Sequence, residues 1–197
     1  FKDFFELLMP NDLRLWSLTA AIRQGISLKL LSQITMIDPW FITGISNIIN
    51  TEKILLNNSL NKELLLLAKR QGFTDEQIAT LCDSLPDSIK KMRKQFGIQP
   101  AYKMVDTCAA EFEAATPYFF STYDGENEAK PLKSPKAIVI GSGPIRIGQG
   151  IEFDYSTVHG VQAVRNMGLE AVVINNNPET VSTDYDTSDR LYFEPLE

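Results

Sequence analysis

The stretch KAIVIGSGPIRIGQG, residues 136–150, decides how the second half of the chain folds. Lys136 to Ile140 is a short run rich in β-branched residues, which suit a pleated strand. The glycine-rich turn Gly141-Ser142-Gly143-Pro144-Ile145-Arg146-Ile147-Gly148-Gln149-Gly150 follows at once. A helix is expected from about Phe153 to Asn166, stopped by Gly168, and Ala171 to Asn175 reads as a second strand. Strand, glycine turn, helix, strand is a βαβ opening, and its two strands are expected to lie parallel in one sheet. A further strand is expected just before Glu197.

A glycine turn between a strand and a helix can bring backbone N–H groups to a phosphate. Here the spacing is G-x-G-x-x-x-x-G, without the third glycine of G-x-G-x-x-G and without G-K-[ST]. A dinucleotide site also needs an acid at the end of the second strand, to receive ribose hydroxyls. That place holds Asn175, Asn176 and Asn177, and an amide does not offer a carboxylate's charge-assisted acceptor pair. A tight turn that lets loop and helix pack closely explains the glycines more simply than phosphate binding by this segment alone.

Two features exceed a plain turn. Arg146 lies within it, where a guanidinium can clamp a carboxylate or phosphate. Glu152, Asp154 and Tyr155 follow at the helix start, where acids complement the helix dipole, so capping and function both remain open for the two acids. The polar run from Asn175 to Asp189 lies past a strand's carboxyl end, where open α/β sheets place ligands. Asp184 and Asp186 in it suit either a Mg²⁺ ion or a solvated turn. His159, the sole histidine, is expected to be a packing or surface residue rather than a base.

Upstream the punctuation is helical. After Pro10, Asn11 or Asp12 can cap a helix carrying Leu13, Trp16, Ala20 and Ile22 that stops at Gly25. Ser27 can cap a second one with Leu30, Leu31 and Ile34. Asp38-Pro39 sets a carboxylate at the N-cap and a proline at N1, ahead of Phe41, Ile45, Ile48, Ile49 and Ile54. A fourth helix is expected over Glu63 to Arg70, ending at Gly72. Thr74 to Gln77 has the form of a capping box, and Pro86 opens a last helix that Gly97 closes. Short helices with tight connections mean a compact packing module, and nothing in them pairs a nucleophile with a base. Residues 98–135, with scattered prolines and aromatics, read as an ordered connector, and the polar stretch 124–135 as the boundary.

The chain has 197 residues, 44% hydrophobic and 22% charged, with a formal net charge of −6. Such a chain can bury a real core. The acidic balance argues against nucleic acid, which needs clustered cations. The one basic run, Lys90, Lys91, Arg93 and Lys94, sits late in a helix, where cations suit the dipole. Cys82 and Cys108 do not make a disulfide framework, and no His/Cys cluster has metal-ligand spacing, so a reducing compartment is the simpler expectation. No apolar stretch is long enough to span a bilayer, no signal peptide is visible, and both chain ends look cut.

The run from Gly141 to Tyr155, followed by NPETVSTDYDTSDRLYFEP at residues 177–195, closely resembles the large subunit of the carbamoyl-phosphate synthase family. The match is to the pre-ATP-grasp segment opening that subunit's second half. IDPWF (37–41), residues 69–73 and YKMVDTCAAEF (102–112) are similar to its oligomerization domain and the connector after it. The resemblance implies an α plus α/β fold: an all-helical oligomerization domain with its connector over 1–123, a linker over 124–135, and a partial Rossmann-like pre-ATP-grasp domain over 136–197.

The family makes carbamoyl phosphate from bicarbonate, ammonia released from glutamine, and two ATP, with Mg²⁺ or Mn²⁺. The ATP-grasp domains that hold ATP and metal are absent here, so the resemblance implies an inactive piece that binds neither. It implies a glutamine amidotransferase subunit or domain as partner, self-association through the helices, no nucleic acid or membrane partner, and a cytoplasmic location. The loop residues Gly141, Gly143, Arg146, Gly148, Gln149, Gly150 and Glu152 are implied to face the active-site cleft, with Gly150 beside the carbamate route. The family's intermediates are labile in water, so that route must exclude it. The alternative is a free-standing helical interaction module with a nucleotide-binding α/β domain.

Overall fold

The computed structural model describes residues 8–113, 116–133, 135–144 and 152–196. The chain forms two compact units, Phe1–Ile98 and Gln99–Glu197.

The described part of the first unit is helical: α1 Arg14–Arg23, α2 Leu28–Thr35, α3 Pro39–Asn57, α4 Lys62–Arg70, α5 Asp75–Leu81 and α6 Pro86–Gln95. The caps explain most of the boundaries. The Asp38 carboxylate accepts the Trp40 N–H at 2.8 Å, and Pro39 stands at N1. The capping box closes both ways: Gln77 N–H donates to Thr74 Oγ1 and Thr74 N–H to Gln77 Oε1. Gly72 and Gly97 carry φ of +88° and +69°, the left-handed conformation that ends a helix without a Cβ penalty. Two expected caps differ. Asn11 Oδ1 receives the Leu13 N–H, a turn just ahead of α1, and Ser27 makes no side-chain capping bond to α2.

The core of this unit gathers Leu8, Leu18, Ala21, Ile22, Leu31, Ile42 and Ile49. It excludes several residues expected on the buried faces. Trp16 is 70% exposed and Phe41 59%, while Leu18 and Ile42 lie inside. The helices carry apolar residues on more than one face, and packing selects one of them. An ion cluster ties α4, α5 and α6 together. Asp75 accepts from Lys69 Nζ at 3.0 Å and from Arg93 Nη2 at 2.9 Å, and Lys69 Nζ also donates to Phe73 O.

The second unit is a mixed five-stranded sheet in the order β1-β2-β5-β4-β3. Its strands are β1 Ala101–Met104, β2 Tyr118–Thr122, β3 Lys136–Ile140, β4 Glu170–Ile174 and β5 Arg190–Phe193, with helix α7 Glu152–Asn166. The expected parallel pair is present, with Ala137 opposite Ala171 and Ile140 opposite Ile174. Residues 98–135 are more than a connector. β2 runs parallel to β5 and β1 antiparallel to β2, so these residues complete the sheet. The change from helices to sheet accordingly falls near Ile98 rather than within 124–135. α7 covers one face, where its Val161 packs with Ala171, Val173 and Leu191 of the sheet and Val139 lies against them. Arg165, late in α7, pairs with Asp189 at 2.9 Å, and Asp189 also accepts the Ala171 N–H at 2.7 Å.

Candidate functional site

β3 delivers Gly141 and Gly143 to the carboxyl edge of the sheet, and β4 delivers Asn175 beside them. Gly141 N–H donates to Ile174 O at 2.8 Å, which continues the ladder one residue past β3. A Cβ placed on Gly141 would lie 2.5 Å from Asn175 Cγ and 2.6 Å from its Nδ2. Close approach therefore demands glycine there. At Gly143 the demand is conformational, with φ +72°.

Asn175 is the hub, and it is completely buried. Its Oδ1 accepts the N–H groups of Gly143 at 3.0 Å and Asn176 at 2.9 Å, and its Nδ2 donates to Ser182 Oγ at 3.2 Å. Two backbone donors facing one end of the amide fix which end is oxygen. Ser182 is also completely buried, and its N–H points at both Asp154 oxygens at 3.3 Å. Thr180 and Thr183 hydroxyls donate to Asn177 O at 3.0 and 3.1 Å. The polar run after β4 is thus folded onto itself and onto α7.

This placement answers part of the sequence reading. Asp154 is buried against the Val181–Thr183 turn, bracing it, and so serves neither as a free acid nor merely as a helix-dipole charge. Glu152 is exposed at the start of α7. His159 is exposed and stacks on Tyr155 with ring centroids 4.1 Å apart. Arg146, Gly148, Gln149 and Gly150 lie outside the described residues. The hub role of Asn175 was not anticipated beyond its being no ribose acceptor. The available signal was a neutral polar residue ending an otherwise apolar strand.

A hollow of about 300 Å³ lies beside the turn, lined by Val139, Ile140, Gly141, Ser142, Phe153, Ser156 and Thr157. The Ser156 and Thr157 hydroxyl protons are committed to Glu152 O and Phe153 O. Fit to ATP or to Mg²⁺ or Mn²⁺ is poor here. Asn175 has no acceptor left over, Asp184 and Asp186 are exposed, and among the described residues no three His, Cys, Asp or Glu side chains gather as metal ligands.

Residues 133–197 match the family model for the carbamoyl phosphate synthase preATP-grasp domain. Residues 4–97 match that for the carbamoyl-phosphate synthetase large chain, oligomerisation domain. The chain is 52% identical over 196 residues to the carbamoyl phosphate synthase large chain of Caldanaerobacter subterraneus subsp. tengcongensis, covering 99% of this chain and 18% of that one. It is 56% identical over 195 residues to that of Methanothrix thermoacetophila, covering 98% of this chain and 18% of the relative.

The chain belongs to the carbamoyl phosphate synthase large-chain family. It spans about 18% of the length of the curated relatives it matches. The preATP-grasp match begins three residues before β3 and takes in the whole Asn175 network. The oligomerisation match ends at residue 97, one residue before the first unit ends. No described helix is long and apolar enough to cross a membrane.

Proposed function

We propose that this chain is a section of a synthetase large chain that makes carbamoyl phosphate from bicarbonate, glutamine-derived ammonia and two ATP. Its helical unit acts as the oligomerization domain. Its α/β unit, a partial Rossmann-like pre-ATP-grasp domain, walls the active-site cleft with the turn from Gly141 through Gly150 and with Glu152. By itself it has no activity and carries no ATP, Mg²⁺ or Mn²⁺, which belong to other segments of the parent protein. The parent works in the cytoplasm with a glutamine amidotransferase subunit or domain.

One observation carries the reading. The Asn175 amide fills the place of a ribose acceptor and spends its bonding capacity holding Gly143 and Ser182. A turn whose described start, at Gly143, is held by a buried amide suits a rigid, water-excluding wall better than a cofactor cradle. Titration calorimetry of this chain with ATP and with NAD tests it. No heat of tight binding is expected for either, and micromolar binding of NAD overturns the reading. Light scattering tests the helical part: association at high concentration is expected, and a strictly monomeric chain counts against it.

A further inference from the structure

A strand at the rim of a sheet leaves a row of backbone N–H and C=O groups without ladder partners, ready to pair with another chain. β1 stands at such a rim, paired only with β2 among the described strands. Val105 N–H, just past the strand, donates to Tyr118 O, so the alternate residues Tyr102 and Met104 direct their backbone groups away from β2. Those outward groups are nonetheless occupied. Tyr102 N–H donates to Asn127 Oδ1 at 2.9 Å, Tyr102 O accepts from Glu128 N–H at 2.8 Å, and Met104 N–H donates to Glu128 Oε2 at 2.8 Å.

The cover is a strap, residues 124–130, none of which is in a helix or strand. Gly125, at φ +75°, lets the chain turn back after β2, and a Cβ there would meet Lys103 Cε at 3.0 Å. Asn127 Nδ2 donates to Ala129 O at 3.0 Å, which leaves the amide oxygen facing β1. The second Glu128 oxygen takes Lys103 Nζ at 2.7 Å. Ala129 is buried, and Lys130 O accepts from Arg190 Nη1 of β5, so the far end of the strap is tied down as well.

A sixth strand laid on β1 would only move the open rim outward by one strand. Here two of the three bonds to β1 end on side-chain oxygens, so the strap satisfies the rim without presenting a new ladder beyond it. We propose that residues 124–130 are a latch that keeps β1 from pairing edge to edge with β1 of a second copy, and that Asn127 and Glu128 are its two catches. A second copy is the occupant a freed rim takes, because two identical edges meet antiparallel about a two-fold axis and each supplies the donors and acceptors the other needs. The proposed function makes no use of this rim, so the two stand or fall separately.

The test is hydrogen exchange read by NMR, together with light scattering, on the 197-residue chain and on its Asn127→Ala/Glu128→Ala variant. In the double variant the Tyr102 and Met104 amides are expected to exchange ~10-fold faster at low concentration, the effect of losing one hydrogen bond apiece. At high concentration they are expected to regain protection while the mass rises above that of the unaltered chain, whose own mass accounts for any association through the helices. Glu128→Gln keeps an oxygen for the Met104 N–H and is expected to keep both that protection and the unaltered mass. Amides that stay protected in the double variant overturn the proposal, as do amides that open and stay open at every concentration. The Leu191 amide, bonded to Pro117 O, reports whether the sheet is still folded. Should it open as well, Asn127→Ala alone, read at Tyr102, decides by the same outcomes.

Discussion

Replacing Gly141 with alanine tests the packing at the centre of the α/β unit. The new Cβ would lie 2.5 Å from Asn175 Cγ and 2.9 Å from Asn175 Cβ, so the asparagine must move by about an ångström to restore ordinary contact. Asn175 is fully buried and bonded at both ends of its amide, so it has nowhere to relax. Overpacking of a filled core costs ~1–3 kcal/mol. Losing the bonds to Gly143 and Ser182 adds ~0.5–1.5 kcal/mol each. The sum, ~2–6 kcal/mol, lowers the melting temperature of a unit of this size by on the order of 10–25 °C. Calorimetric melts of the single variant and of Asn175→Gly with and without Gly141→Ala measure it. In the glycine background the alanine meets no obstacle, and its cost is expected to fall below ~1 kcal/mol. A Gly141→Ala protein that melts within ~2 °C of the parent sequence refutes the reasoning, as does an equal cost in both backgrounds.

The helical unit carries an acid-sensitive contact. Burial pushes the Asp75 carboxyl up, but the hydrogen bonds from Arg93 and Lys69 outweigh it and hold the group below the usual carboxylate range. A folded pKa below the unfolded value of ~3.9 means that this contribution is complete above that pH and is lost as pH falls through the folded pKa. Urea unfolding of the helical unit followed by circular dichroism from pH 7 to 2 is expected to show that acid loss, and Asp75→Asn is expected to flatten it. Asp75→Ala removes the carboxylate that Lys69 Nζ and Arg93 Nη2 share, which is expected to cost ~1.5–3 kcal/mol at neutral pH, less whatever water screens at the partly exposed Arg93. Thr74→Ala opens one side of the capping box and is expected to cost ~1 kcal/mol in the same denaturation assay. An unchanged midpoint there would mean that another donor or water caps α5.

Much of the local structure was legible because its causes are local. Asp38-Pro39, the Thr74–Gln77 pair and the stops at Gly25, Gly72, Gly97 and Gly168 each act within a few residues, and each stands where helix ends were expected. The βαβ opening was legible for the same reason. The family resemblance rested on the run from Gly141 to Tyr155 and on residues 177–195. Part of that turn, 145–151, is not among the described residues, so the expected roles of Arg146 and Gly150 remain proposals.

What the sequence by itself determined is where elements begin and end, because capping, turn conformation and β-branching are properties of neighbouring residues. What only the tertiary structure decided is which surfaces meet. Trp16 and Phe41 are outside while Leu18 and Ile42 are inside, and helical periodicity cannot choose between two apolar faces. Tyr118 pairs with Leu191, more than seventy residues away, and no local pattern encodes that register. Asn175 became a buried hub because the segment after β3 and the Val181–Thr183 turn, itself braced by Asp154 of α7, meet at it. A contact between distant segments is chosen by the free energy of the whole packed unit, and only the assembled sheet and helix reveal it.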